Sequence, residues 1–215
     1  MAETTLAAVA ALSLLVSGTA TLLAACVGVP AGAWLGARTF RGQRALQTLL
    51  HSLYGFPPVL LGLLLYLSLS RTGPLGSLQW LYTAQGMVLA QFLLILPFVL
   101  GLTWSAVANV DPALRDTAQT LGAERWSYLR ALVREARIGV LGAVMVGFGR
   151  AVSEVGAVII VGGNIQGETE TLTTAIVKHT GRGDFALAVG LGLILLSVSL
   201  TVFAALTLLQ GGKEK

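Results

Sequence analysis

Arg150 and Glu154 are the residues best placed to do chemistry in this sequence, since they stand four apart in the middle of an apolar run near Ile138–Val161. Residues four apart share a helix face, so the two can pair, and Ser153 lies between them. Charges at mid-membrane depth are costly, and they point to a gate, a translocation path or an ion relay. A structural pair that only orients helices satisfies the same spacing. Gly142, Gly147, Gly149 and Gly156 around the pair suit a mobile, close-packed pore lining. The stretch from Gly162 through Asn164 to Ile176 follows, rich in glycine and threonine. At the end of a span, Asn164 and its neighbours offer backbone N–H and hydroxyl donors for an oxyanion. A turn-rich loop with a helix restart, or a docking surface for an outer partner, explains it equally well. Neither site is a catalytic centre.

The elements that position these groups are membrane spans. Of 215 residues, 55% are hydrophobic and 11% charged, and the mean hydropathy is +0.80, whereas a soluble domain carries about a quarter charged residues. The net charge of +4 comes without a basic patch interleaved with aromatics, so nucleic acid is not an expected partner. Cys26 is the only cysteine and His51 has no second ligand at metal spacing, so neither a disulfide nor a metal site is expected. Leu23-Ala24-Ala25-Cys26 resembles a lipoprotein cleavage box, but no Lys or Arg precedes it and the apolar run continues past it, which favours an ordinary span residue.

Five segments are long enough to cross a bilayer, near residues 6–35, 45–68, 83–108, 138–161 and 185–209, in one domain covering 1–215. The first has Gly28, Gly32 and Gly36 on one stripe, which predicts close packing against a neighbour. The second contains Pro57 and Pro58, which predict a kink or non-helical turn. No matching break is legible in any other span. The connectors alternate in charge: ten Lys and Arg fall on one side and three on the other, with Arg150 inside a span. The positive-inside rule places the ten in the cytoplasm, with the N-terminus outside and the C-terminus inside.

The third connector, Asp111–Glu135, is a polar island on that cytoplasmic side. Asp111 suits an N-cap and Pro112 a first helical position. Gly122 suits the bend between two short helices carrying apolar marks at Leu114, Ala118 and Leu121, then at Trp126, Leu129 and Leu132. On spacing alone this is either an amphipathic surface loop or a docking element.

Asp116-Thr117-Ala118, Gly122 and Leu132 resemble the "EAA" loop of ATP-binding-cassette importer permeases, whose pattern is Glu-Ala-Ala, three residues, Gly, nine residues, Ile, one residue, Leu-Pro. Asp116 replaces the Glu, Thr117 the first Ala, Leu132 the Ile, and Arg134-Glu135 stands where Leu-Pro is expected. Gly55-Phe56-Pro57-Pro58-Val59, Gly73-Pro74-Leu75-Gly76 and the segment Gly149–Ala157 are similar to molybdate/tungstate-type permeases. Gly163-Asn164-Ile165 with Thr171–Ile176 resembles the tungstate branch. The resemblance implies an all-α integral membrane protein, a type I importer core of five transmembrane helices with a cytoplasmic coupling-helix loop. It further implies a bacterial or archaeal plasma membrane, a homodimer with a pore at its interface, two cytoplasmic ATPase subunits and an extracytoplasmic oxyanion-binding protein. Asp116, Thr117, Ala118, Leu121, Gly122 and Leu132 would couple to the ATPase. Arg150, Ser153, Glu154 and Asn164 would line the path or gate. No cofactor is implied. No G-x-x-x-x-G-K-[ST] motif occurs, so ATP is hydrolysed in trans. A molybdate or sulfate permease is the alternative within the family, and a stand-alone secondary transporter the alternative outside it.

Overall fold

A computed structural model describes residues 2–114, 120 and 124–211, and its described secondary structure is helical throughout. Asp116, Thr117, Ala118, Leu121 and Gly122 lie outside the described residues. Three helices are long and apolar enough to cross a membrane: α1 (Ala2–Gly36), α4 (Ala84–Ala108) and α9 (Phe185–Gly211). The other two expected spans are bent pairs. α2 (Gln43–Tyr54) and α3 (Pro58–Leu69) meet at 90°, and α6 (Arg137–Val152) and α7 (Gly156–Gly162) at 57°. The count of spans reaches five when each bent pair is taken as one. The remaining α-helices described at both ends are α5 (Arg125–Glu135) and α8 (Leu172–Gly181), and a 3-10 turn spans Gly76–Leu78.

α1 and α4 form the frame, and glycine makes their contact possible. A Cβ on Gly32 would collide with the Leu100 carbonyl oxygen, and one on Gly36 would sit 2.7 Å from the Trp104 carbonyl oxygen. The small-residue stripe therefore does what its spacing predicts. Ala20, Ala24, Leu94, Ile95 and Val99 form the core at the middle of this frame, and Ala151 of α6 closes it. Cys26 is exposed on the continuous α1 helix.

In the second expected span, 45–68, the double proline gives the non-helical turn, the second of the two outcomes it predicts. Gln43, Arg44, Gln47, Thr48, His51 and Ser52 recur at helical spacing along α2, which buries none of its residues. Gly55 and Phe56 N–H groups close its end on the Ser52 and Leu53 carbonyls. Pro57 is extended (φ −65°, ψ 118°) and Pro58 starts α3, where a missing N–H is harmless. The double proline thus separates an amphipathic helix from an apolar one. A helix built like α2 is suited to a water–lipid boundary rather than a hydrocarbon interior.

Asp111 caps as expected: its Oδ1 accepts from Ala113 N–H at 2.8 Å, and residues 112–114 are helical. α8 opens with a capping box, in which Thr171 and Thr174 side chains each accept the other's backbone N–H. Ser13 of α1 accepts Leu172 N–H at 2.8 Å, tying α8 to the frame.

Candidate functional site at a broken helix

The fourth span breaks at Ser153-Glu154-Val155, where the sequence reading assumes a continuous helix. A break leaves carbonyls at the end of α6 and N–H groups at the start of α7 without helical partners. The structure supplies partners at the break. Gln91 Nε2 of α4 donates to the Ala151 carbonyl at 2.9 Å. Thr173 Oγ1 of α8 donates to the Glu154 carbonyl at 3.0 Å. Ser153 Oγ donates back to the Gly149 carbonyl at 2.8 Å. The Glu154 carboxylate does two things at once: Oε1 accepts Ala157 N–H at 3.0 Å, capping α7, and Oε2 accepts from Arg150 Nη1 at 2.8 Å. Its side chain is 2% exposed and that of Arg150 31%. The spacing-based pairing of Arg150 with Glu154 is therefore present, across the final turn of one helix and the break into the next.

A second break lies alongside. α3 also begins at a turn, and its first residues pack on the start of α7. A Cβ on Gly156 would lie 2.8 Å from Val59 Cγ2 and 3.4 Å from Val59 N, and one on Gly62 would lie 2.9 Å from Ala157 Cα. The sequence shows no counterpart to the double-proline break; the structure places one beside it. Two helix N-termini, each carrying partial positive charge, thus converge next to Arg150. Ser153, Val59 and Leu60 are exposed on this side of the described structure.

Asn164 is not part of this cluster. It follows the α7 C-cap Gly163 in left-handed geometry (φ 51°), so the length of α7, about 10 Å at 1.5 Å per residue, separates it from Glu154. Its Oδ1 is buried and finds no hydrogen-bond partner among the described residues. Thr169 fixes the loop behind it, donating to the Gly162 carbonyl at 2.6 Å and accepting Ile165 N–H at 2.9 Å. Leu132 is fully buried against Ala33, Val107, Val110, Ala136 and Val140, so it holds α5 to the bundle and faces inward.

Gln91 and Thr173 are the positions that sequence reasoning leaves without a role. The available signal for Gln91 is a lone amide in an apolar span; for Thr173 nothing local points to a carbonyl 19 positions away. Gln91→Leu should remove one of the two bonds on the Ala151 carbonyl, which keeps the Glu154 N–H at 3.1 Å, and destabilise the fold by about 0.5–1.5 kcal/mol. Thermal unfolding in detergent reads this, with Gln85→Leu, away from the break, as the matched control.

Comparison with known proteins supplies the family context. Residues 28–213 match the family model described as "binding-protein-dependent transport system inner membrane component". The tungstate uptake system permease protein TupB of Peptoclostridium acidaminophilum is 43% identical over 199 residues, covering 93% of this chain and 87% of its own. A probable anion ABC transporter permease protein of Haloferax volcanii is 41% identical, covering 94% of this chain and 89% of its own. The molybdenum transport system permease protein ModB of Azotobacter vinelandii is 32% identical, with 90% and 89% covered.

Proposed function

This chain belongs to the family of inner membrane components of binding-protein-dependent transport systems, and from that membership we propose that it is the permease subunit of an ATP-driven importer of oxyanions, tungstate foremost. The names of its relatives, tungstate, anion and molybdenum permeases, support the substrate class, and the 43% identity to one tungstate relative supports the choice within it.

The carrying observation is the pair of converging helix breaks beside Arg150. Arg150 is a third exposed and Ser153 exposed, at the depth of apolar residues such as Val59 and Leu60. Facing lipid there would cost kilocalories, so this face is covered by a second copy that encloses an aqueous path. A homodimer with its pore along this face follows. Arg150 and the two helix N-termini attract a dianion, while Glu154 partly neutralises them. The net attraction is then enough to admit the anion and too weak to hold it.

In the working cycle two ATPase subunits bind the Asp111–Glu135 loops on the cytoplasmic side through Asp116, Thr117, Ala118, Leu121 and Gly122. The buried Leu132 makes α5 rigid with α1, α4 and α6. Closure of the ATPase pair moves the loops together, and α6 carries that motion to the hinge at Ser153–Val155. The path turns from inward-open to outward-open, where an extracytoplasmic binding protein delivers the anion. This is a two-state equilibrium biased by differential contacts. The excess of basic residues on the loop side supports this orientation.

The test is ATP hydrolysis and uptake in proteoliposomes holding this chain with its cognate ATPase and binding protein. Tungstate should stimulate at far lower concentration than molybdate or sulfate. Equal stimulation by all three removes the tungstate assignment, and failure to retain any ATPase removes the importer. In the same system Asp116→Lys with Gly122→Leu should insert normally and import nothing.

A further inference from the structure

A groove of about 550 Å³ opens between the last turns of α1 and the whole of α5. Its floor is apolar: Val29, Pro30 and Ala33 from α1, Leu129 and Val133 from α5. Its rim is cationic and aromatic. Trp34 and Trp126 stand 41% and 75% exposed, and Arg125 and Arg130 line the edge. The Arg38 guanidinium lies 4.6 Å from the Trp34 ring centroid, beside the same edge. No described carboxylate stands within 4.0 Å of Arg38, Arg125 or Arg130.

We propose that this groove binds an anionic glycerophospholipid, with the phosphate among Arg125, Arg130 and Arg38 and one acyl chain along α1. Two observations converge on this ligand. Arginines without a described carboxylate partner, set with two exposed tryptophans, mark the headgroup level of a bilayer. Basic side chains clustered at the end of a membrane helix favour anionic headgroups. The apolar floor does not end at the groove, for Val27 and Leu23 continue it along α1 as exposed side chains. From Trp34 to Leu23 the helix rises about 16 Å, close to half of the roughly 30 Å hydrocarbon core, so the apolar track is one leaflet deep. A purely protein partner would use the arginines and leave that track unexplained. A lipid so placed bridges α1 to α5, the helix that follows the polar loop, and would stiffen the joint between them.

The test uses the full chain taken from vesicles of equimolar phosphatidylglycerol and phosphatidylcholine with identical acyl chains, read by native mass spectrometry. Phosphatidylglycerol should be retained in about tenfold or greater excess. Arg125→Gln with Arg130→Gln should bring it down to the phosphatidylcholine level. Arg71→Gln with Arg182→Gln, which removes equal charge elsewhere, should leave the excess intact. Should the groove variant misfold, the unmodified protein still decides. Dibrominated phosphatidylglycerol should quench its tryptophan fluorescence at lower mole fraction than dibrominated phosphatidylcholine, and inorganic phosphate should not relieve the quenching. Equal retention of the two lipids, an equal loss in the control variant, or expulsion of the lipid when the ATPase subunit binds would overturn the proposal.

Discussion

The Arg150→Met/Glu154→Gln double variant should fold as well as the parent protein and import no anion. Each single change should do worse on stability. Arg150→Met strips a carboxylate that is 2% exposed of its cation. Breaking a buried pair by removing one partner typically costs about 3–5 kcal/mol, because the other charge stays behind. Partial exposure of Arg150 lowers that figure when Glu154 is the residue replaced. The double change removes both charges, and the introduced glutamine keeps an amide oxygen where Glu154 Oε1 now accepts Ala157 N–H. Replacing a whole pair by neutral groups of similar shape is often neutral in stability. The two readings of the pair then separate. Thermal unfolding in detergent should return to the parent value in the double variant. Uptake should remain lost if Arg150 supplies positive charge to the path. Parental uptake would assign the pair to structure alone.

Gly32→Leu should prevent accumulation of folded protein. A Cβ at this position already collides with the Leu100 carbonyl oxygen and would sit 2.9 Å from Thr103 Cβ and 3.0 Å from Trp104 N. Two of these three neighbours are backbone, which cannot rotate away, so the helices must separate. Overpacking with only one or two methylenes costs about 1–3 kcal/mol where side chains can adjust; here the adjustment would open the α1–α4 seam on which Ala20, Ala24 and Val99 depend. Gly32→Ala should already lower the unfolding midpoint. Gly18→Ala, on the same helix with nothing within 4 Å of the added carbon, should not. Detergent size-exclusion profiles and thermal scans of the three variants read the difference. An unaffected Gly32→Leu would mean that α1 and α4 are not in this contact.

Much of this architecture is written locally. Composition alone settles a membrane protein, because charge is excluded from apolar spans whatever their packing. The four-residue spacing of Gly28, Gly32 and Gly36 predicts a tight seam, and the spacing of Arg150 and Glu154 predicts their pairing, since both follow from helical geometry alone. Asp111 and Pro112 mark a helix start by the same kind of local rule.

Tertiary structure decided where spans break. Ser153-Glu154-Val155 contains neither proline nor glycine, and its local signal is only the Glu154 carboxylate that caps Ala157 N–H. The break is held because Thr173, 19 positions away, takes up the Glu154 carbonyl, while Gln91, 60 away, adds a second bond to the Ala151 carbonyl that Glu154 N–H also reaches. In a medium without water a backbone group can leave its helix only where a partner awaits it. The same holds for Asn164, kept from Arg150 and Glu154 by the length of α7, and for Leu132, whose apolar character is legible but whose burial depends on Ala33, Val107 and Val140 arriving from three other helices. Local periodicity states which residues prefer a neighbour; only the folded chain decides which neighbour that is.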